Sequence, residues 1–267
     1  MVSAKDIVVK PITSKSANAL IKRVHYSGKI VNNSTLHLGA YLNDKLEGVM
    51  SFGSPLDKRK VLPLVEGTSW NGMLELNRMA FSDVLPRNSE SRAIAIAVKM
   101  LKKHAPHVKV LISYADGTQC GDGTIYRAAG FVLTGINKNN SLWRMPGGEV
   151  CTNIVFDPGF QPNSKKNSIK AKYGKTGSEA SVSFLRRIGA EQLQGFQLRY
   201  MYFLDPSYRA RLTVPELPYS EIEKRGAKMY KGQKPRGEGE TDNAAQSNVQ
   251  TEGARPISPL LTHETLT

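Results

Sequence analysis

The sequence predicts a mixed α/β protein, a sheet flanked by helices, and three observations carry that reading. Strand-like and helix-like periodicities alternate over residues 4–155. A strand over residues 74–81 runs directly into a helix that starts near residue 88. An apolar run at Val108–Tyr114 has the continuous character of a strand buried on both faces.

The elements follow in order. Ile7 to Ile12 reads as a short strand. Thr13 or Ser14 caps a helix whose stripe Ala17, Leu20, Ile21 and Val24 ends at His25. Thr35 to Leu42 and Leu46 to Ser54 are strands joined by Asn43, Asp44 and Lys45, residues suited to a hairpin turn. In the strand 74–81, strict alternation puts Leu74, Leu76, Arg78 and Ala80 on one face and Glu75, Asn77 and Met79 on the other. Asn88 and Ser89 cap a helix carrying Ala93, Ile94, Ala97, Val98 and Leu101 to about His104. Gly123 opens a short helix to Ala129, and residues 131–136 with 141–145 read as a closing hairpin. Residues 161–180 read as a basic loop, Ser181 to Ile188 as a helix, and 196–204 as an aromatic-rich strand able to pair with 210–214. We therefore expect a core over 1–155, a basic extension over 156–230 that completes the domain with further strands, and a disordered tail over 231–267.

Charge narrows the partners. The 267 residues include 37 Lys and Arg against 23 Asp and Glu, a net of +14. The stretch 156–236 alone holds 16 basic and 7 acidic residues, a net of +9. Such an excess favours a polyanion such as nucleic acid or a phosphorylated cofactor. The two cysteines, Cys120 and Cys151, are too few for a disulfide scaffold and lack zinc spacing, which suits a reducing cytoplasm. No apolar run is long enough to span a membrane.

Three clusters could carry chemistry. Asp116 ends the buried strand, and after a glycine-bounded loop Tyr126 sits on the next helix, at the sheet edge where α/β proteins bind ligands. Asp116 suits a base or a ligand orienter and Tyr126 a general acid or hydrogen-bond donor; turn capping and packing are their alternatives. His25, with Tyr26 and Ser27, closes the first helix, where an imidazole serves either proton transfer or the helix dipole. Arg78, Asn88, Ser89 and Ser91 surround a helix start whose unpaired amides form a phosphate cradle.

The order of elements resembles the GNAT acyltransferases, whose mostly antiparallel sheet splays at a helix start that holds the pyrophosphate of acyl-CoA. Their usual glycine-rich signature is replaced here by Asn88-Ser89-Glu90-Ser91. Within that fold the strings His25-Tyr26-Ser27, Leu38-Gly39-Ala40-Tyr41, Glu75-Leu76-Asn77-Arg78, Ser113-Tyr114-Ala115-Asp116, Gly123-Thr124-Ile125-Tyr126 and Arg199-Tyr200-Met201-Tyr202-Phe203-Leu204 resemble the Mom family of phage proteins. That resemblance implies an enzyme converting DNA adenine to an N6-carbamoylmethyl form that host restriction endonucleases no longer cut. It implies activity at His25, Tyr26, Asp116 and Tyr126, and a cofactor position at Ser91. Acyl-CoA such as acetyl-CoA is the implied cofactor, with iron as a second candidate; Gln119-Cys120-Gly121-Asp122 departs from the Gly-His expected of relatives there.

Double-stranded DNA is then the expected partner, a homodimer a candidate assembly, and the host cytoplasm the expected location. Lys165, Lys166, Lys170, Lys172, Lys175, Arg186 and Arg187, with Arg199, Arg209 and Arg211, are the candidate phosphate contacts. Reaching N6 requires flipping the base, for which Tyr200, Tyr202, Phe203 and Trp143 are candidate stacking faces. An acetyltransferase acting on a protein or small-molecule amine is the alternative enzyme, and a basic DNA-binding protein the non-enzymatic one.

Overall fold

Among the described residues seven strands form the main sheet, each antiparallel to its neighbours except for one central parallel pair. The computed structural model describes residues 2–25, 28, 30–117, 121–157, 169–175 and 177–227. The first strand, β1 (Val8–Pro11), leads into helix α1 (Ser14–Val24), capped by the Thr13 hydroxyl on the Ser16 amide. Its buried stripe Ala17, Leu20 and Ile21 packs on Val49 and Ala80. Strands β2 (Ser34–Leu42) and β3 (Lys45–Gly53) form the expected hairpin, turning on Asn43 and Asp44, both at positive φ as a two-residue turn of this hand requires. After the short helix α2 (Lys58–Val61) come β4 (Met73–Phe81) and helix α3 (Ser89–His104), the βα junction the sequence predicts.

The second half holds the surprises. Strand β5 (Val110–Asp116) is followed by helix α4 (Thr124–Ala128) and by β6 (Val132–Asn139). The expected hairpin of β6 with β7 (Leu142–Arg144) does not form. Instead β7 pairs with β8 (Val150–Thr152) and, after helices α5 (Ile169–Lys172) and α6 (Ser181–Arg187), with β9 (Glu191–Gln192) in a separate three-stranded sheet. The place beside β6 is taken by β10 (Gly195–Phe203), antiparallel to both β5 and β6. Its inward residues Phe196, Leu198 and Tyr200 join the core under α3, where an apolar strand outcompetes a short local hairpin. Residues 210–214 do not pair with it: Pro206–Arg211 is a 3-10 helix capped by Asp205, and Leu212 bridges to Val65. Helix α7 (Ser220–Lys224) buries Ile222 in the main core.

Strand β4 departs from strict alternation. Register against β3 slips between Ser51 and Phe52, so that Ser51 faces Arg78 while Phe52 faces Leu76, leaving Asn77 as the extra residue of a bulge. Side chains beyond the bulge change face. Leu76 packs under α3, whereas Ala80 packs against α1, and Arg78 is carried to the α1 side with it. The even-numbered face of the sequence reading is thus split in two.

Candidate active site

The parallel ladder of β4 and β5 ends at the pair Leu76 and Ser113, where the buried Ser113 hydroxyl donates to the Leu76 carbonyl at 2.8 Å. Beyond it the strands part. The bulge at Asn77 bends β4 away, held by the Ser34 hydroxyl donating to Asn77 Oδ1 at 2.8 Å. Between them opens a cavity of about 770 Å³ lined by His25, Glu75, Arg78, Tyr114, Asp116 and Tyr126, with Asn139 and Gln197 on its far wall. Four site residues predicted from four different segments therefore line one cavity.

Each arrives by a local cause. His25 is the C-cap of α1, its amide donating to the Ile21 carbonyl at 2.9 Å, so the helix end delivers the ring to the cleft. Arg78 Nη1 donates to His25 Nε2 at 3.3 Å. A guanidinium only donates, so Nε2 carries the lone pair and the imidazole proton sits on Nδ1. Asp116 is the last residue of β5, across the ladder from Gln197. Tyr126 stands on α4, its ring stacked on Tyr200 with centroids 5.3 Å apart and 26° between planes. That helix is started by Gly123 at φ +72° and by the Asp122 carboxylate, which accepts the Thr124 amide at 3.1 Å and the Arg127 guanidinium at 2.9 Å. The Tyr200 hydroxyl donates to the Asp122 carbonyl.

The cavity's charges are unusual. Burial, with the Arg78 charge beside it, lowers the His25 pKa to about 4. Burial pushes the Glu75 carboxyl up, opposed by an amide hydrogen bond from Leu56 and by Arg78. Burial and the Glu75 charge raise the Tyr114 phenol, with Arg199 acting the other way. His25 is therefore neutral at pH 7 and holds an acceptor lone pair. A depressed folded-state pKa means the unfolded chain binds this proton first, so His25 favours the fold above pH 6.5 and loses that contribution as pH falls towards 4. We expect an NMR titration of the His25 ring to show a midpoint near 4, and Arg78→Ala to move it part of the way up, since burial is the larger cause. A wild-type midpoint at the ordinary 6.5 would contradict this environment.

The predicted phosphate cradle lies next door. Asn88 and Ser91, with Arg87 and Glu90, line a second cavity of about 330 Å³ at the start of α3, which shares Phe81, Thr124 and Ile125 with the first. Ser89 does not reach it, being fully buried with its hydroxyl donating to the Pro86 carbonyl at 2.6 Å. Arg78 belongs to the first cavity, because the bulge turns it there. Tyr26 lies outside the described residues.

In the basic extension several of the candidate cations have partners of their own. Lys172 is paired with Glu149, and Arg187 with Glu179 through two bonds of 3.2 and 2.8 Å. Lys170 donates to the Asp157 carbonyl at 3.1 Å. Lys175 is buried, its ammonium 6.0 Å from the Phe184 ring centre. Arg199 spends its guanidinium on Thr134, at 3.0 Å to the hydroxyl and 2.6 Å to the carbonyl, and Arg209 is held by Glu216. Lys172, Arg187 and Arg209 keep more than half of their side chains exposed within these pairs, whereas Lys175 and Arg199 are turned inward. Lys165 and Lys166 lie outside the described residues, and Arg186 stays on the surface in the last turn of α6. Nor can Tyr200 or Trp143 receive a base: both are fully buried, Trp143 beside Phe156 and Phe184.

Sequence reading missed Gln197 and Asn139 as cavity residues. The signal was present in β10, where Gln197 and Arg199 interrupt an otherwise apolar strand at a spacing of two. Among the described residues no group of three or more His, Cys, Asp or Glu is arranged to hold a metal ion, and no helix is long and apolar enough to cross a membrane.

The profile of the Mom protein family matches residues 6–221, a span that takes in α1, the splayed strands and β10. The chain belongs to the Mom protein family. A Mom relative from Escherichia phage Mu, methylcarbamoylase mom, is 32% identical over 215 residues, covering 79% of this chain and 81% of its own. Solved structures similar to this Mom-family chain include an N-acetyltransferase from Staphylococcus aureus Mu50 (9% identity, TM-score 0.42, 74% of this chain and 99% of that one). Another is a GNAT family acetyltransferase from Elizabethkingia anophelis (16% identity, TM-score 0.38, 73% and 97%).

Proposed function

We propose that this chain is a transferase that converts adenine in phage DNA to N6-carbamoylmethyladenine, shielding the genome from restriction endonucleases in the host cytoplasm. Membership of the Mom family across residues 6–221 carries the reading, and the methylcarbamoylase name of the phage Mu relative supports the group transferred. The cavity supports the chemistry. Adenine's exocyclic amine is a weak nucleophile because its lone pair is delocalised into the ring, so the amine must be positioned and its proton accepted as the new N6–carbon bond forms. Asp116 takes that proton. His25, neutral and held by Arg78 at Nε2, offers its Nδ1–H to a ring nitrogen of the adenine and so orients the base. Tyr126 donates its phenolic proton towards the group being displaced.

The base reaches this cavity only after leaving the duplex stack. At about 770 Å³ the space accommodates a purine with its sugar. A CoA-type cofactor would be seated by its diphosphate in the second cavity, and because a thioester activates only its carbonyl carbon, the N6–CH2 bond requires a donor that carries its leaving group on the methylene carbon. The free first-turn dipole of α3 and Arg87 favour a diphosphate there, the Glu90 carboxylate opposes it, and Ser91 adds a hydroxyl.

The test is chemical. Expressed in a bacterium, the protein should leave plasmid DNA whose digested nucleosides include an adenosine heavier by one carbamoylmethyl group on mass spectrometry. Folded, soluble protein with an unaltered nucleoside pool would contradict the proposal.

A further inference from the structure

The largest exposed apolar side chains near the cavity belong to neither site. Between β3 and β4, Leu56 is 89% exposed and Trp70 60%, and both line a shallow hollow with Pro55, Lys58 and Arg59. Isolated exposed leucines are ordinary, but a leucine and a tryptophan side by side with a basic run are not. The pair is built on a braced platform. Lys58 holds its ammonium 4.6 Å from the Trp70 ring centre and donates to the Trp70 carbonyl at 2.8 Å, fixing one face of the indole and leaving the other to solvent. Below, Val61 and Val65 are buried, and the Glu66 amide donates to the Arg211 carbonyl at 2.9 Å. The platform also adjoins the cavity, since Gly53, three residues before Leu56, pairs with Glu75, a cavity-lining residue.

We propose that Leu56 and Trp70 form a wedge that enters duplex DNA beside the adenine being modified, with Arg59 seated on a flanking phosphate. This inference rests on the DNA-modification reading above and adds the surface by which the duplex is held and opened. Charge complementarity selects the occupant. The segment Asp57–Lys60 presents three cations against one carboxylate, that of Asp57, which Lys60 meets at 3.3 Å. Phosphates supply the matching anions, and bases supply flat apolar faces for an indole and an unstacked step for a leucine. Space left by a flipped adenine has to be filled or the duplex recloses, and the wedge is joined to the very cavity that receives the base.

Three measurements on the full chain test the wedge. Wild-type protein titrated with a duplex should lose indole fluorescence as Trp70 stacks, and Trp70→Phe should abolish most of that change while keeping binding. The pair Leu56→Ala and Trp70→Ala should weaken duplex binding roughly tenfold or more, because stacking a base on an aromatic ring is worth that much. Arg59→Gln should flatten the dependence of log affinity on log salt by about one phosphate contact. Normal thermal unfolding of these surface variants excludes a folding effect. A wild-type enzyme that modifies DNA while the double variant binds and modifies equally well would overturn the wedge and leave the enzyme reading standing. A wild-type chain that neither binds nor alters duplex DNA would overturn both. An indole change that follows protein concentration without DNA, with dimers in sedimentation, would assign the patch to a second copy of the chain and overturn the wedge.

Discussion

Replacing Asp116 with asparagine is expected to lower the rate of adenine modification by about 10²–10⁴ while leaving duplex affinity unchanged, because general-base catalysis of a proton transfer contributes on that order. Asparagine keeps the size and the hydrogen-bonding edge that the strand end presents, so β5 and its pairing with Gln197 survive. Only the proton acceptor is lost. The effect belongs in the transfer step, read in a single turnover with saturating DNA; a purely structural Asp116 would lose binding or folding instead. Replacing His25 with glutamine should cost less, because an amide still accepts a hydrogen bond from Arg78 and the role assigned to the imidazole is orientation.

The second large effect falls on stability. Gly123→Ala is expected to destabilise the fold by about 2–5 kcal/mol, adding the cost of a left-handed backbone to that of overpacking. Gly123 has φ +72°, and an added Cβ would lie 2.5 Å from the Tyr200 ring. Tyr200 cannot retreat, since it is fully buried with its hydroxyl on the Asp122 carbonyl. The change also pushes on α4 and so moves Tyr126 from the cavity wall. Gly130→Ala separates the two costs. Its φ is +84°, but the nearest atom is 3.6 Å away, so it should lose only the backbone share, about 1–2 kcal/mol. Urea unfolding of both variants checks the difference, and equal losses would show that the Tyr200 contact is soft.

Features written in local spacing were legible. The stripe ending at His25, the Asn43-Asp44 turn, the helix after Pro86 and the glycine before Tyr126 each depend on a few neighbouring residues, and each element stands within a residue or two of its expected bounds. What depended on distant partners was not. Nothing in residues 131–145 says that a strand 60 residues on will displace the local hairpin, because that competition is decided by what Phe196, Leu198 and Tyr200 bury. The bulge at Asn77 was equally hidden: a period of two cannot reveal an extra residue whose partner is on another strand. Site positions were therefore better read than their company. His25, Asp116 and Tyr126 came from strand and helix ends, where side chains leave the core, while the link from His25 to Arg78 needed the bulge. The ion pairs were hidden for a related reason: the carboxylates at 149 and 179 that meet Lys172 and Arg187 are brought there by the fold, and both cationic side chains stay more than half exposed.

The most direct test of the account is the structure of the full chain bound to an adenine-containing duplex with the donor withheld. We expect one adenine out of the stack in the cavity between the splayed strands, its N6 within about 2.6–3.2 Å of the Asp116 carboxylate and a ring nitrogen facing the Nδ1–H of His25. A fully stacked duplex, or an extruded adenine lodged away from His25, Asp116 and Tyr126, would contradict it.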